Sequence, residues 1–234
     1  MVLASREEFR HTALLLFMLF GSVSVKDVLD ASFAGSSNGL FDALVHVNGH
    51  RLFFDYDGGF YHGIDRLAHD MEKSLRVIHA NADACVFRLR TNDAPPFTIT
   101  HARLKSEHTS SGTLLKNNVI VMMNALAALS LGVALFNIDV SRIQMCVSAA
   151  EAAWRQLNAE RQARYDELSA YLGGAALADK LLKSPGLQNL FCHRKLIPQL
   201  IILISTLSLS KVQLTKVMCG GFASRLMDPD FIAA

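Results

Sequence analysis

The alternation of apolar and polar residues in the first half of the chain predicts a β-hairpin. Two apolar runs, residues 41–47 and residues 51–56, flank Asn48-Gly49. An Asn-Gly pair between apolar runs is a strong hairpin signal, because both residues tolerate the positive φ angles of a tight turn. Such a hairpin places Asp42, at the start of the first strand, beside the end of the second.

The next segment predicts a helix and a third strand. Apolar residues recur at helical spacing at Leu67, Met71, Leu75 and Ile78, beside a polar face with Arg66, Asp70 and Lys73. Lys73 is therefore expected to face the strand ends. Residues 84–90 then alternate as a strand does, with Cys85, Phe87 and Leu89 on one side and Arg88 and Arg90 on the other.

An apolar run also precedes the hairpin, at residues 13–20, and basic residues precede that run. A short signal peptide has this form, but Glu7 and Glu8 do not suit one. The run is expected to be a helix that packs against the sheet.

Helical patterns replace strand patterns after about residue 110. Residues 118–138 carry no charge over 21 positions, which meets the length of a membrane-spanning helix. Asn124, Ser130 and Asn137 favour a buried helix instead, so a membrane partner is not expected. A long amphipathic helix is predicted from Ile143 to Leu172.

Helix-start signals continue to the end of the sequence. Ser184-Pro185 and Asp228-Pro229 place a capping residue before a proline, and Ser210 begins a capping-box pattern. Successive short helices of this kind are typical of a repeat-like array, and the last predicted helix stops within its first turns.

These elements predict an α+β chain with two domains. Residues 1–110 form a small α/β domain in the order helix, β-hairpin, helix, strand. Residues 111–234 form an all-helical, repeat-like domain that is incomplete at its C-terminus.

Composition narrows the functional classes. Lys and Arg number 23 against 21 Asp and Glu, a net charge of +2 without a basic tract. This balance counts against a protein that binds nucleic acid through a broad basic surface. The four cysteines have no zinc-ligand spacing and lie among apolar residues, which excludes a zinc finger and favours a reducing intracellular compartment, cytoplasm or nucleus.

The end of the second strand carries the strongest chemical signal. Asp55 and Asp57 alternate with Tyr56, so both carboxylates point to the same face. Like charges on one buried face repel each other, and a divalent metal ion is a common remedy. A simple turn at Asp57-Gly58-Gly59 is the competing interpretation.

The order of these motifs resembles the restriction-endonuclease-like superfamily with the PD-(D/E)xK signature, in particular its very-short-patch-repair-like branch. The likeness covers roughly residues 36–97. It rests on the motifs Asp55-Tyr56-Asp57-Gly58, Tyr61-His62, Asp70-Met71-Glu72-Lys73 and Val86-Phe87-Arg88-Leu89-Arg90. The chain departs from the signature in two places: Asp57 occupies the usual lysine position, and Phe41 replaces the proline.

The resemblance implies a metal-dependent endonuclease that hydrolyses phosphodiester bonds in nucleic acid, DNA more than RNA. Asp42, Asp55 and Asp57 would bind Mg²⁺ or Mn²⁺, and Lys73, displaced to the helix, would complete the catalytic set. His62, Arg88 and Arg90 would contact the nucleic acid. The alternative is an interaction protein, in which the helical half binds a protein partner and the nuclease-like domain is inactive.

Overall fold

The computed structural model describes residues 6–38, 41–59, 62–109, 115–131 and 139–172. The chain divides into two compact units, Met1–Gln156 and Leu157–Ala234. The described elements are the helices α1 (Arg6–Phe20), α2 (Val25–Ser37), α3 (Ile64–Ala80), α4 (Leu115–Ala128) and α5 (Val140–Leu172), and the strands β1 (Ala43–Val47), β2 (His50–Asp57), β3 (Ala84–Arg90) and β4 (Leu104–His108).

The four strands form one mixed sheet in the order β1-β2-β3-β4. β1 and β2 are antiparallel, and β2, β3 and β4 run parallel to one another. Asn48 and Gly49 both have positive φ angles, 45° and 80°, which the tight β1–β2 turn requires. The predicted hairpin, the helix after it and the third strand are therefore confirmed, and the chain is mixed α+β.

Each face of the sheet has its own helices. Phe53 and Val86 face α3 in an apolar cluster with Phe41, Ile78 and Leu104. The opposite face meets α1, where the imidazole of His11 stacks on the ring of Tyr56 with 4.4 Å between centroids. Every residue of β3 is buried, as expected for a central strand covered on both faces.

The apolar run at residues 13–20 lies within α1, as expected, and a second helix, α2, follows it. Gly21 ends α1 at a φ of +74°, and Ser24 begins α2. The Ser24 hydroxyl accepts a hydrogen bond from the Asp27 N–H at 3.2 Å, and the Asp27 carboxylate accepts one from the Ser24 N–H at 2.8 Å. This reciprocal capping box fixes the start of α2.

One arginine closes the connection between α3 and β3. The Arg103 guanidinium donates hydrogen bonds of 2.7 to 3.2 Å to four main-chain carbonyls. They belong to Ile78, Asn81, Ala82 and Ala84. They run from the last turn of α3 to the start of β3, so Arg103 stabilises the crossover that aligns β2 with β3.

Helix α4 lies against the sheet unit, where it contacts α1, β3 and β4. The first compact unit thus extends past residue 110, where the sequence suggested a domain boundary, and includes α4 and the first part of α5. The predicted long helix is α5. The helix starts predicted near residues 184, 210 and 228, and the repeat-like domain they suggested, lie outside the described residues.

Within the described ranges, no single helix has the length and apolar character needed to cross a bilayer. Helices α1 and α2 meet that test only as a pair, and the pair is bent by 105°. The uncharged stretch 118–138 is helical as far as Ala128, and residues 132–138 are not among those described.

Candidate functional site

The site lies on the α3 face of the sheet, near the end of β2. Parallel pairing puts Asp55 opposite Arg88 and Asp57 opposite Arg90. All four side chains are buried. Burial of a carboxylate is costly unless a cation or hydrogen-bond donors compensate its charge, so the pairing of two acids with two arginines across neighbouring strands is the central feature of this face.

Asp57 is compensated on both of its oxygens. Arg88 Nε donates to Oδ2 at 2.8 Å and Arg88 Nη2 donates to Oδ1 at 2.6 Å, which is a bidentate pair. Arg90 Nη1 adds a third bond to Oδ2, also at 2.6 Å. The ring of Phe97 lies 5.5 Å and 5.2 Å from the two guanidinium carbons. Arg88 and Arg90 therefore occupy the interior, rather than the solvated strand face from which they were expected to contact a nucleic acid.

Asp42 and Asp55 come together at the open end of the hairpin. The Asp42 N–H donates to Asp55 Oδ1 at 3.0 Å, and the Tyr56 N–H donates to Asp42 Oδ2 at 2.7 Å. The proximity that the hairpin predicted for these two acids is therefore present. Asp42 is half-buried, whereas Asp55 is almost fully buried.

The two acids differ in their compensating charges. Lys73 Nζ lies 2.6 Å from Asp55 Oδ2, and Arg88 Nη1 lies 2.8 Å from the same atom. Neither contact has the alignment of a hydrogen bond, so the stabilisation is mainly electrostatic. In the part of the chain that the structure describes, Asp42 forms no ion pair with a basic side chain. Burial, followed by the charge of Asp55, raises the pKa of Asp42 well above its usual value.

Lys73 reaches the strand ends from α3, as predicted. Its ammonium also lies 4.1 Å from the centroid of the Phe41 ring, a cation–π contact. Phe41 therefore helps to hold the Lys73 ammonium beside Asp55.

His62 lies in a second cluster of ionisable side chains, with Asp57 and Asp70, beside the Asp42–Asp55 pair. Its Nδ1 lies 2.8 Å from Asp70 Oδ2 and 3.4 Å from Asp57 Oδ1. Burial lowers the pKa of His62, but the bond to Asp70 and the nearby carboxylates outweigh it, and the net pKa is raised. Burial likewise raises the pKa of Asp70, and the bond to His62 and the charge of Arg88 reverse the effect to a lowered pKa.

One ligand atom from each of Asp57, His62 and Asp70 lies within 4.8 Å of the others, so this group could hold a metal ion. Asp70 also lies 3.4 Å from Arg88 and 3.7 Å from Arg90. An ion here would have to compete with two arginines for both carboxylates.

The two groups together contain one more acidic side chain than basic side chains. The acids are Asp42, Asp55, Asp57 and Asp70, and the cations are Lys73, Arg88 and Arg90. Within the described ranges, and with His62 neutral, one negative charge is uncompensated. The ion-pair geometry assigns it to Asp42.

Two contributors were not found by sequence reasoning. The charge of Glu8, in the first turn of α1, also raises the pKa of Asp42, so a third acid lies near the pair. The ring of Phe97 covers the two arginines. The only signal for Glu8 was an acidic pair before an apolar helix, and Phe97 follows a proline pair in a segment without periodic pattern.

Comparisons with protein-family models, with curated proteins and with solved structures find no match. The likeness to the restriction-endonuclease-like superfamily therefore stays a prediction that rests on the motifs.

Proposed function

We propose that this protein is a metal-dependent nuclease whose reaction centre is formed by Asp42, Asp55 and Lys73. The observation that carries the proposal is the uncompensated charge of Asp42 beside Asp55. Two carboxylates held close together, one of them half-buried and without a cation among the described residues, are the donor set that a hard divalent ion such as Mg²⁺ or Mn²⁺ prefers.

The residues present fit such an ion. Asp55 Oδ2 is buried without an aligned hydrogen bond, and the raised pKa of Asp42 reports a site that favours added positive charge. When bound, a divalent ion supplies Lewis-acid stabilisation of the phosphate and a lower pKa for water.

The chain's own residues would supply the rest. Lys73 carries a point charge next to Asp55 and can stabilise negative charge that grows on a phosphate oxygen. The Tyr56 N–H fixes the orientation of the Asp42 carboxylate. Asp57 serves as a positioning residue here, because both of its oxygens hold Arg88, which in turn contacts Asp55.

The alternative metal group, Asp57, His62 and Asp70, is the weaker candidate for the ion. Its two carboxylates are already neutralised by Arg88 and Arg90. His62 is partly exposed at this position, and its ring N–H can donate a hydrogen bond to a substrate phosphate. The proposed substrate is nucleic acid, DNA more than RNA, as the motif resemblance implies.

A Mn²⁺ titration by calorimetry tests this assignment. Asp42→Asn keeps the size and the hydrogen bond from Tyr56 but removes the uncompensated charge, and Asp70→Asn is the matched control in the other group. We expect metal binding in the wild type and in Asp70→Asn, and loss of binding in Asp42→Asn. Loss in Asp70→Asn alone would move the ion to the His62 group.

Cleavage assays then address the reaction. Single-stranded and double-stranded DNA and RNA are incubated with Mg²⁺ or Mn²⁺ and the wild type, Asp42→Asn or Lys73→Met. Cleavage by the wild type and its loss in both variants is expected. Cleavage that persists in Asp42→Asn at the wild-type rate would refute the reaction centre.

One observation favours a second candidate, an interaction protein with an inactive nuclease-like domain. Lys73 and Arg88 already neutralise Asp55, as a structural ion-pair network would. A folded wild type that binds no Mn²⁺ and cleaves no substrate would support this candidate, and its protein partner would be sought through the helical half.

A further inference from the structure

Strand β4 is an edge strand of the sheet in the part of the chain that the structure describes. It pairs with β3 through its inner side, and no strand among the described residues pairs with its outer side. Exposed strand edges present unpaired N–H and C=O groups to any chain that can align with them. A second strand that pairs with β4 would bond to these main-chain groups.

The β3–β4 hydrogen bonds determine which groups of β4 point outward. The Val86 N–H donates to the Arg103 carbonyl at 2.8 Å, and the Thr109 N–H donates to the Arg90 carbonyl at 2.7 Å. Main-chain groups alternate in direction along a strand, so residues 105 and 107 of β4, and the flanking residues 103 and 109, bond to β3. The N–H and C=O of Ser106 and His108 therefore point away from the sheet.

The side chains of β4 are arranged for a symmetric partner. Lys105 and Glu107 lie on the same face, on either side of Ser106, and neither has an ion-pair partner within the described ranges. In an antiparallel pair centred on Ser106, residue 105 of one strand lies directly opposite residue 107 of the other. Two copies of β4 then form two Lys–Glu cross-strand pairs.

We propose that β4 is a dimerisation edge, on which a second copy of this chain adds its own β4 in antiparallel orientation about a two-fold axis at Ser106. The direction of the hydrogen bonds agrees with the charges. Because Ser106 points both main-chain groups outward, the two Ser106 residues form the hydrogen-bonded pair on the axis, and residues 105 and 107 fall in the closer, non-hydrogen-bonded positions. Shifting the two strands by one residue would remove both the hydrogen-bonded Ser106 pair and the Lys–Glu cross-strand pairs.

Two further features of this edge suit such a partner. A cleft of about 510 Å³ runs beside the strand and has apolar lining from Phe97, Ile99 and Leu104. The hydroxyl of Ser106 is buried and lacks a hydrogen-bond partner. Across the two-fold axis the two Ser106 residues lie directly opposite each other, with their side chains on the same face of the sheet.

The resulting sheet has eight strands and a defined spacing of its sites. A two-fold axis perpendicular to the sheet keeps both α3 faces on the same side. Five strand intervals of about 4.8 Å separate the two β2 strands, which places the two Asp42–Asp55 pairs roughly 24 Å apart. This consequence rests on the proposed function: the dimer would present two reaction centres to one extended nucleic acid. The dimer itself does not depend on activity.

Charge reversal tests the pairing, with molecular mass measured by sedimentation equilibrium on the full chain. The wild type is expected to dimerise. Lys105→Glu and Glu107→Lys each turn both cross-strand pairs into like-charge contacts, and dimerisation should weaken by roughly tenfold or more. A mixture of the two variants should form heterodimers, because every cross-strand pair is then opposite in charge. The double variant Lys105→Glu/Glu107→Lys should dimerise like the wild type.

Two more variants separate pairing from general effects of charge or folding. Glu72→Lys changes an exposed charge on α3 and should leave the dimer intact. Ser106→Pro removes the outward N–H at the axis. The variant should be monomeric by sedimentation equilibrium and folded by circular dichroism, since edge strands tolerate proline there. A monomeric wild type at the highest concentration reached would overturn the proposal, as would a dimer that neither charge reversal weakens. Cleavage assays are not needed for this test, so its failure is distinct from failure of the proposed function.

Discussion

The buried side chain of His11, on α1, contacts residues of β2 and α4. It gives a quantitative prediction for the pH dependence of stability. His11 is almost completely buried. Its Nδ1–H donates to the carbonyl oxygen of Glu7 at 2.8 Å, and its Nε2 accepts from the side-chain amide of Asn118 at 2.8 Å. A carbonyl oxygen only accepts, so these contacts specify a neutral imidazole with its proton on Nδ1. A second proton on Nε2 would face the Asn118 amide group.

The size of the stability change follows from the difference between the pKa of His11 in the unfolded chain and its pKa in the folded chain. Burial is the main cause that lowers the pKa of His11, from 6.5 to about 4. As the pH falls below 6.5 the unfolded chain takes up a proton that the folded chain refuses, so the free energy of unfolding decreases. Between about pH 7 and about pH 5, His11 should remove about 2 kcal/mol of stability.

The assay compares the wild type with His11→Gln, which cannot titrate but keeps a polar side chain. Urea unfolding is followed by the fluorescence of Trp154, the single tryptophan, whose ring lies 5.6 Å from that of Phe9 in the same compact unit. The wild type should lose about 2 kcal/mol more than the variant between the two pH values. Equal losses in both proteins would refute the reasoning and show that Asn118 turns its oxygen towards a protonated His11.

Three other substitutions test parts of the fold and the site. Because its pKa is raised, charged Asp42 weakens the fold as the pH rises above about 4; the stability of Asp42→Asn relative to the wild type should therefore grow between acidic and mildly alkaline pH in urea unfolding. Arg103→Lys cannot reach four carbonyls at once and should lower the free energy of unfolding by roughly 2 kcal/mol. Gly35→Ala would put Cβ 2.6 Å from the carbonyl oxygen of Phe41 and should cost about 2 kcal/mol, whereas Gly58→Ala, with no atom nearby, should change the melting temperature little.

Local chemistry explains which elements could be predicted. The Asn48-Gly49 turn carries its own conformational signal, so the hairpin and the approach of Asp42 to Asp55 were readable from the sequence. The alternation of β2 likewise placed both acids on one face. The start of α2 also has a local signal, the capping box from Ser24 to Asp27.

Tertiary context explains what could not be predicted. Strand β4 was not predicted, because Leu104 is its only apolar residue. An edge strand with one solvated side needs few apolar residues, so it lacks the alternating pattern that indicates a strand. Arg88 and Arg90 have the pattern of a solvated strand face. Only the folded chain shows that α3 and Phe97 cover them and that Asp57 is their shared partner.

The sequence separations within the site suggest an order of assembly during folding. Asp42 meets Asp55 and Tyr56 across 13 and 14 residues, inside one hairpin. Arg88 and Arg90 meet Asp57 across 31 and 33 residues, after the α3 crossover closes. Short loops close with less entropy loss than long ones, so local contacts form first. The acids are thus expected to meet before their cations arrive. Removal of Arg90 should therefore speed unfolding and leave the folding rate almost unchanged.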